Sequence, residues 1–184
     1  MPEIILITQS ADKVEEFSRL LGRAVSHRHL DLPEIQSLDP AEVAAHKAKA
    51  AFDLLGGGPV MVEDTGLAVR AWNGLPGALV KWFLRGVGPE GLCRMAAALE
   101  GGAEAVAETA IAVCDGGGGV RVFSGKVEGV IAPRPSGSGG FGWDSVFKPA
   151  GEARTFAEMS PEEKDAYSMR RLALENLRAN YPFT

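Results

Sequence analysis

The sequence predicts an α/β protein: a mixed, twisted sheet flanked by helices. Three observations carry this. Strand-like and helix-like segments alternate through the first half of the chain, closely spaced strand-like runs follow in the second, and glycine clusters punctuate the joins. At 184 residues the chain is long enough for one substantial core, and a single domain over residues 1–184 is expected. Its 46% hydrophobic and 23% charged content is ordinary for a soluble globular protein.

Glu3 to Thr8 is rich in Ile and Leu and reads as a buried strand. Val14, Phe17, Leu20 and Leu21 then fall on one helical face that closes at Gly22, with Ser10 or Asp12 as cap. A strand, a short turn and a helix start make a common anion site, because free amide N–H groups and the helix dipole both favour phosphate. Lys13 in that first turn opposes the dipole unless an anion binds beside it, although a solvated surface lysine fits the residues too. Asp39-Pro40 opens a second helix through Val43, Lys47, Ala51, Phe52 and Leu55, ending at Gly56-Gly57-Gly58.

Pro59 to Val62 reads as a second apolar strand, ending in Glu63-Asp64-Thr65-Gly66. Acids at the end of a buried strand lie where α/β sheets place ligands. Gly88-Pro89-Glu90 opens a helix running through Leu99. Ala105 to Val113 and Val120 to Phe123 read as strands around a Gly116–Gly119 turn, and Lys126 to Ile131 extends them into a meander. Pro133 to Gly140 reads as a loop. Ser160-Pro161-Glu162-Glu163 forms a capping box whose helix is expected to continue to about Ala179.

The net charge of −5 argues against duplex nucleic acid as a partner, while a single nucleotide needs only a few local cations. Cys93 and Cys114 lack metal-like spacing and fit a reducing compartment. No apolar run approaches membrane-spanning length, and the first residues lack the basic flank of a signal peptide. A soluble cytoplasmic protein without membrane attachment is expected.

The run Gly139-Gly140-Phe141-Gly142-Trp143-Asp144 suits a site that grips a flat ligand. Its glycines let backbone approach closely, Phe141 can offer a stacking face, and Asp144 can accept hydrogen bonds or pair with a cation. The same six residues also suit a tight turn with Trp143 in the core. Glu34 and the pair Glu63-Asp64 supply hard oxygen donors of the kind Mg²⁺ takes. Metal-assisted hydrolysis of a phosphoanhydride needs such a site and a group that orients or deprotonates water. Taken singly, each acid could equally be satisfied by backbone amides. His27, His29 and His46 do not cluster, and no serine or cysteine has a triad context, so nucleophilic catalysis is not supported.

The chain resembles the inosine triphosphate pyrophosphatases, which remove noncanonical purine nucleoside triphosphates from nucleotide pools. The resemblance covers nearly the whole chain. It is carried by Thr8 with Lys13, DLPEIQ (31–36), EDTGL (63–67), NGLPG, Lys81-Trp82-Phe83, GPEGL, GGFGWDSVF, TFAEMSPEEK (155–164) and Ser168 with Arg170. It implies an elongated fold of two lobes with the active site in the cleft between them, usually dimeric. It also implies Mg²⁺-dependent attack of water at the α-phosphorus of inosine, deoxyinosine or xanthosine triphosphate, giving the monophosphate and pyrophosphate.

Carried over by motif, Thr8, Ser10 and Lys13 contact the triphosphate, and Thr65 and Lys81 add substrate contacts. Glu34 and Asp64 hold Mg²⁺, with Asp64 also activating water and Glu63 as its helper. Phe141 stacks on the base, with Gly142, Trp143 and Asp144 completing that wall, and Lys164, Met169 and Arg170 lie on the base-reading side. Four positions depart from the family pattern: Gln9 and Ser10 replace Gly and Asn, Asp165 stands where Asn is common, and Met169 replaces a histidine. Loss of a hydrogen bond to a substrate changes discrimination strongly. Two alternatives therefore stand beside the hydrolase reading: a diverged nucleotide-binding protein with little turnover, and a pyrophosphohydrolase for other modified nucleotides.

Overall fold

The computed structural model describes residues 4–98 and 103–181, so Glu3 and Leu99 lie outside the described residues. In chain order the elements are β1 (Ile5–Ile7), α1 (Ala11–Leu21), β2 (His27–Arg28), α2 (Pro40–Leu54), β3 (Val60–Val69), β4 (Pro76–Gly77), α3 (Val80–Ala97), β5 (Glu104–Cys114), β6 (Val120–Ile131), β7 (Phe147–Pro149), α4 (Pro161–Ala166) and α5 (Met169–Asn180). Seven strands form one mixed sheet in the order β2-β1-β3-β5-β6-β7, with β4 paired to β3. The β1 pairings to β2 and β3 are parallel and the rest are antiparallel. The α/β class and mixed sheet expected from the sequence are found.

The helix starts follow local chemistry. Ser10 caps α1 by accepting from the Lys13 N–H, and Asp39 caps α2 by accepting from Ala41. Ser160 and Glu163 form the reciprocal box that opens α4.

Three expectations need correction. First, β3 does not stop at Val62 but runs on through Glu63-Asp64-Thr65 to Val69. β5 lies alongside it throughout, with Glu63 opposite Ile111 and Asp64 opposite Ala110. It is β1 that stops, its last pairing being Ile7 with Val62, so the acids lie at the end of the parallel part of the sheet. Second, α3 starts at Val80, eight residues before Gly88. Gly88, at φ 69° and ψ 174°, kinks this helix, and Pro89 opens only its second half. Third, the helix from Pro161 breaks at Tyr167. Ser168 then caps a new helix, its hydroxyl accepting from the N–H groups of Arg170 and Arg171.

The alternation of β3 divides the core. Met61 packs with Leu6, Phe17, Ile111 and Leu174 on the α1/α5 face. Val60 and Val62 pack with Ala44, Ala48 and Ala51 of α2 on the other. Further along, Leu67 and Val69 join a third cluster with Leu92, Trp143, Phe147 and Phe156. The polar stretch Glu63-Asp64-Thr65 lies between the first two clusters and the third.

Candidate active site

The polar stretch opens into a cavity of about 740 Å³. All fifteen residues singled out in the sequence line it: Thr8, Ser10, Lys13, Glu34, Glu63, Asp64, Thr65, Lys81, Phe141, Gly142, Trp143, Asp144, Lys164, Met169 and Arg170. They come from α1, β3, α3, α4, α5 and the connecting segments, so only the folded sheet assembles them.

One wall is a buried chain of alternating charge. Glu63 faces α1 and α5, where Lys13 Nζ lies 2.6 Å and Arg170 Nη2 3.0 Å from its carboxylate. The Thr65 hydroxyl also donates to Glu63. Arg170 reaches Glu16 at 2.5 Å, Glu16 lies 3.7 Å from Lys164, and Lys164 pairs with Asp144 at 2.7 Å. Burial alone would raise the Glu63 pKa, but Arg170 and Lys13 hold it at about 2. Burial opposes charge on Arg170 too, yet Glu63 and Glu16 raise its pKa. Burial pushes the Asp144 carboxyl up, against the pull of Lys164.

The GGFGWD run forms the end of this wall. The Phe141 N–H donates to Asp144 Oδ2 at 2.8 Å. Gly140, at φ 67°, brings its backbone so near that an added Cβ would lie 2.1 Å from that oxygen. Lys164 Nζ and the Arg170 guanidinium lie 4.8 and 5.7 Å from the Phe141 ring centroid. The two cations expected to reach toward a base therefore hold the aromatic wall and the buried acids. Trp143 serves both readings of its segment: it packs against Phe147 and Phe156 and still lines the cavity. Met169 is buried at the start of α5, in the same cluster as Trp143 and Phe156.

The opposite wall is more open. Asp64 points to the α2 face, where Lys47 Nζ lies 3.2 Å away. The same ammonium lies 2.9 Å from Glu34, which also takes Lys81 at 2.8 Å. Burial raises the Asp64 pKa, with Lys47 opposing. Glu34 is held at about 2 despite partial burial, by hydrogen bonds from Lys81 and Lys47. Burial would lower the Lys47 pKa, but Asp64 and Glu34 raise it.

The donor set on this wall fits a magnesium ion. Two carboxylates converge on one cation, both offer hard oxygens, and Mg²⁺ takes one or two protein carboxylates with water and phosphate oxygens. Among the described residues no group of three or more His, Cys, Asp and Glu side chains forms a metal cluster, and Mg²⁺ does not require one.

Lys47, Glu16 and Arg85 hold or face the site without a role assigned to them by the sequence. Lys47 carried a signal, since it interrupts the buried stripe of Val43, Ala44, Ala48 and Ala51 on α2. Glu16 carried little, lying next to Phe17 on an otherwise amphipathic helix. Arg85 on α3 lay in the half-helix that the sequence reading missed.

A sequence model of the Ham1 family matches residues 4–180. The chain belongs to the Ham1 family. Among its relatives, the inosine triphosphate pyrophosphatase of Schizosaccharomyces pombe is 42% identical over 97% of this chain and 94% of the relative. The inosine triphosphate pyrophosphatase of Giardia intestinalis is 43% identical over 96% and 91%. Among solved structures, the Staphylococcus aureus Ham1 protein matches at a TM-score of 0.77 and 27% identity, over 96% of this chain and 97% of that one. The nucleoside-triphosphatase, dITP/XTP pyrophosphatase, of Mycobacterium abscessus matches at 0.71 and 32%, over 95% and 98%. The family signature thus spans both walls of the cavity. No helix among the described residues is long and apolar enough to cross a membrane.

Proposed function

We propose that this Ham1-family chain hydrolyses noncanonical purine nucleoside triphosphates, including those of inosine, deoxyinosine and xanthosine, to the monophosphate and pyrophosphate. The observation that carries this reading is the pairing of two ends in one cavity. Glu34 and Asp64 share a cation at one end, and Phe141 is backed by Lys164 and Arg170 at the other. A nucleotide has a polyanionic end and a flat end to match.

In this reading Glu34 and Asp64 hold Mg²⁺, which when bound offsets charge on the phosphate oxygens. Asp64 accepts a proton from the attacking water. Glu63 is engaged by Lys13, Arg170 and Thr65 in the buried wall, whereas Asp64 faces the more open wall beside Lys47. Glu63 therefore positions Lys13 and Arg170 rather than assisting proton transfer. The water oxygen bonds to the α-phosphorus, the bond to the α–β bridging oxygen breaks, and pyrophosphate leaves. Thr8, Ser10, Lys13, Thr65 and Lys81 hold the phosphates, and positive charge there stabilises the departing group. Phe141 stacks on the base beside Gly142, Trp143 and Asp144.

Met169 favours a second reading of base choice. A buried thioether on the base side makes no strong hydrogen bond, so selection among bases rests on Lys164, Arg170 and shape. The acting species is proposed to be a cytoplasmic homodimer of single-domain chains that engages neither nucleic acid nor membrane. The test is a nucleotide panel with Mg²⁺ and pyrophosphate detection. Turnover of inosine and xanthosine triphosphates above adenosine triphosphate is expected. Turnover confined to other modified nucleotides selects the pyrophosphohydrolase alternative, and thermal stabilisation by nucleotide without product selects the binding-protein alternative.

A further inference from the structure

Six cationic side chains line the cavity: Lys13, Lys47, Lys81, Arg85, Lys164 and Arg170. Five of them lie within 4 Å of a carboxylate. Arg85 does not, among the described residues. Its partner is a ring: the guanidinium carbon sits 5.1 Å from the centroid of Trp82. Trp82 is 56% exposed, so it contributes little to any core and presents a flat platform to the guanidinium.

The first half of α3 explains the placement. Val80 is buried and Leu84 packs against the third core cluster, four residues apart on one face. Lys81 and Arg85 keep the same four-residue spacing one position on, so both are carried to the cavity one helical turn apart. Lys81 binds Glu34, which places it at the carboxylate end of the cavity, with Arg85 one helical turn further along the same wall.

We infer that Arg85, held on the Trp82 ring, is a further substrate-binding residue that contacts the triphosphate and sets the preference for triphosphates over monophosphates. The inference rests on the nucleotide reading of the cavity. An incoming polyphosphate must compete with a resident carboxylate for each of the other five cations, whereas Arg85 is available without breaking an ion pair. A guanidinium matches phosphate with two parallel donors, and stacking on an indole limits the freedom it loses on binding.

The experiment is calorimetric binding of a nonhydrolysable α,β-methylene inosine triphosphate, and of inosine monophosphate, each with Mg²⁺. Arg85→Ala is expected to raise the Kd for the triphosphate analogue about tenfold, the loss of one charge-assisted contact, and to leave the monophosphate Kd unchanged. The salt dependence of triphosphate binding becomes shallower, and in turnover KM rises while kcat holds. Trp82→Ala shifts the triphosphate Kd in the same direction by less, and Trp82→Phe restores it. An unchanged triphosphate Kd in Arg85→Ala, or equal weakening of both ligands, overturns the inference alone. A wild-type protein that binds no nucleoside triphosphate overturns the functional reading and this inference with it.

Discussion

Glu63 and Asp64 are neighbours on β3, and the two-residue period of the strand sends them to opposite faces. Glu63 meets Lys13 and Arg170 in a buried chain of charges that continues through Glu16 and Lys164 to Asp144. Asp64 pairs with Lys47, at a more open wall where Glu34 and Lys81 are partly exposed. Both carboxylates are buried, yet the pKa of one falls and that of the other rises. Both carboxylates lie in the same strand, so their partners, rather than burial, set the two apart. The first wall is a scaffold whose buried ions hold one another, and the second gathers two carboxylates around one ammonium at a more open edge.

Four variants or conditions test this contrast. Asp64→Asn gives the largest effect on turnover, a fall of roughly 10²–10⁴-fold, with thermal stability retained. Pyrophosphate release and a melting curve measured together decide it, and an active Asp64→Asn removes Asp64 as the base. Arg170→Met gives the largest effect on stability. It strands Glu16 and Glu63 without their shared cation, and breaking a buried pair this way costs about 3–5 kcal/mol, read by urea denaturation.

Acid titration is next in size. The Glu63 pKa falls from an ordinary 4.5 to about 2 on folding. Its contribution is therefore fully present above 4.5 and is lost as pH falls toward 2. Glu63→Gln is expected to flatten that part of the stability profile, and an unchanged acid limb would place the sensitivity elsewhere. Lys81→Gln is the smallest perturbation of the fold. The Lys81 side chain is 49% exposed, so its removal should change stability by no more than about 1 kcal/mol while raising KM. A drop in stability as large as that of Arg170→Met would erase the distinction between the walls.

Much of this was legible in the sequence, for local reasons. Asp39 and Ser160 cap the helices that they open, and of the two candidates for α1 Ser10 rather than Asp12 is the cap, because capping is settled within four residues. The misses share a different cause. β3 continues through two acids because β5 pairs with them and cations lie above and below, all contributed from distant chain. The break at Ser168 was hidden because the sequence around it remains compatible with a helix until the serine hydroxyl competes for the backbone. The site residues were readable as motifs that carry a family resemblance. Their pairing was not, since Glu63 and Arg170 stand 107 residues apart in the chain. Lys47 shows the limit most clearly: its residue type and helix were plain, but only the sheet brings Glu34 and Asp64 to the same ammonium.

The central position of β3 has a consequence for motion. Ligand-contacting residues often sit on loops that open at little cost, but the cavity-lining Glu63, Asp64 and Thr65 are zipped to β5 in mid-strand, opposite Ile111, Ala110 and Thr109. Their amide protons should exchange with solvent as slowly as those of Val60 or Ile111, through opening of the whole sheet rather than local fraying. The adjustments that admit and release a ligand then fall to the rim, to the kinked α3 and the Phe141 turn, while Asp64 stays on the slowest-opening part of the molecule.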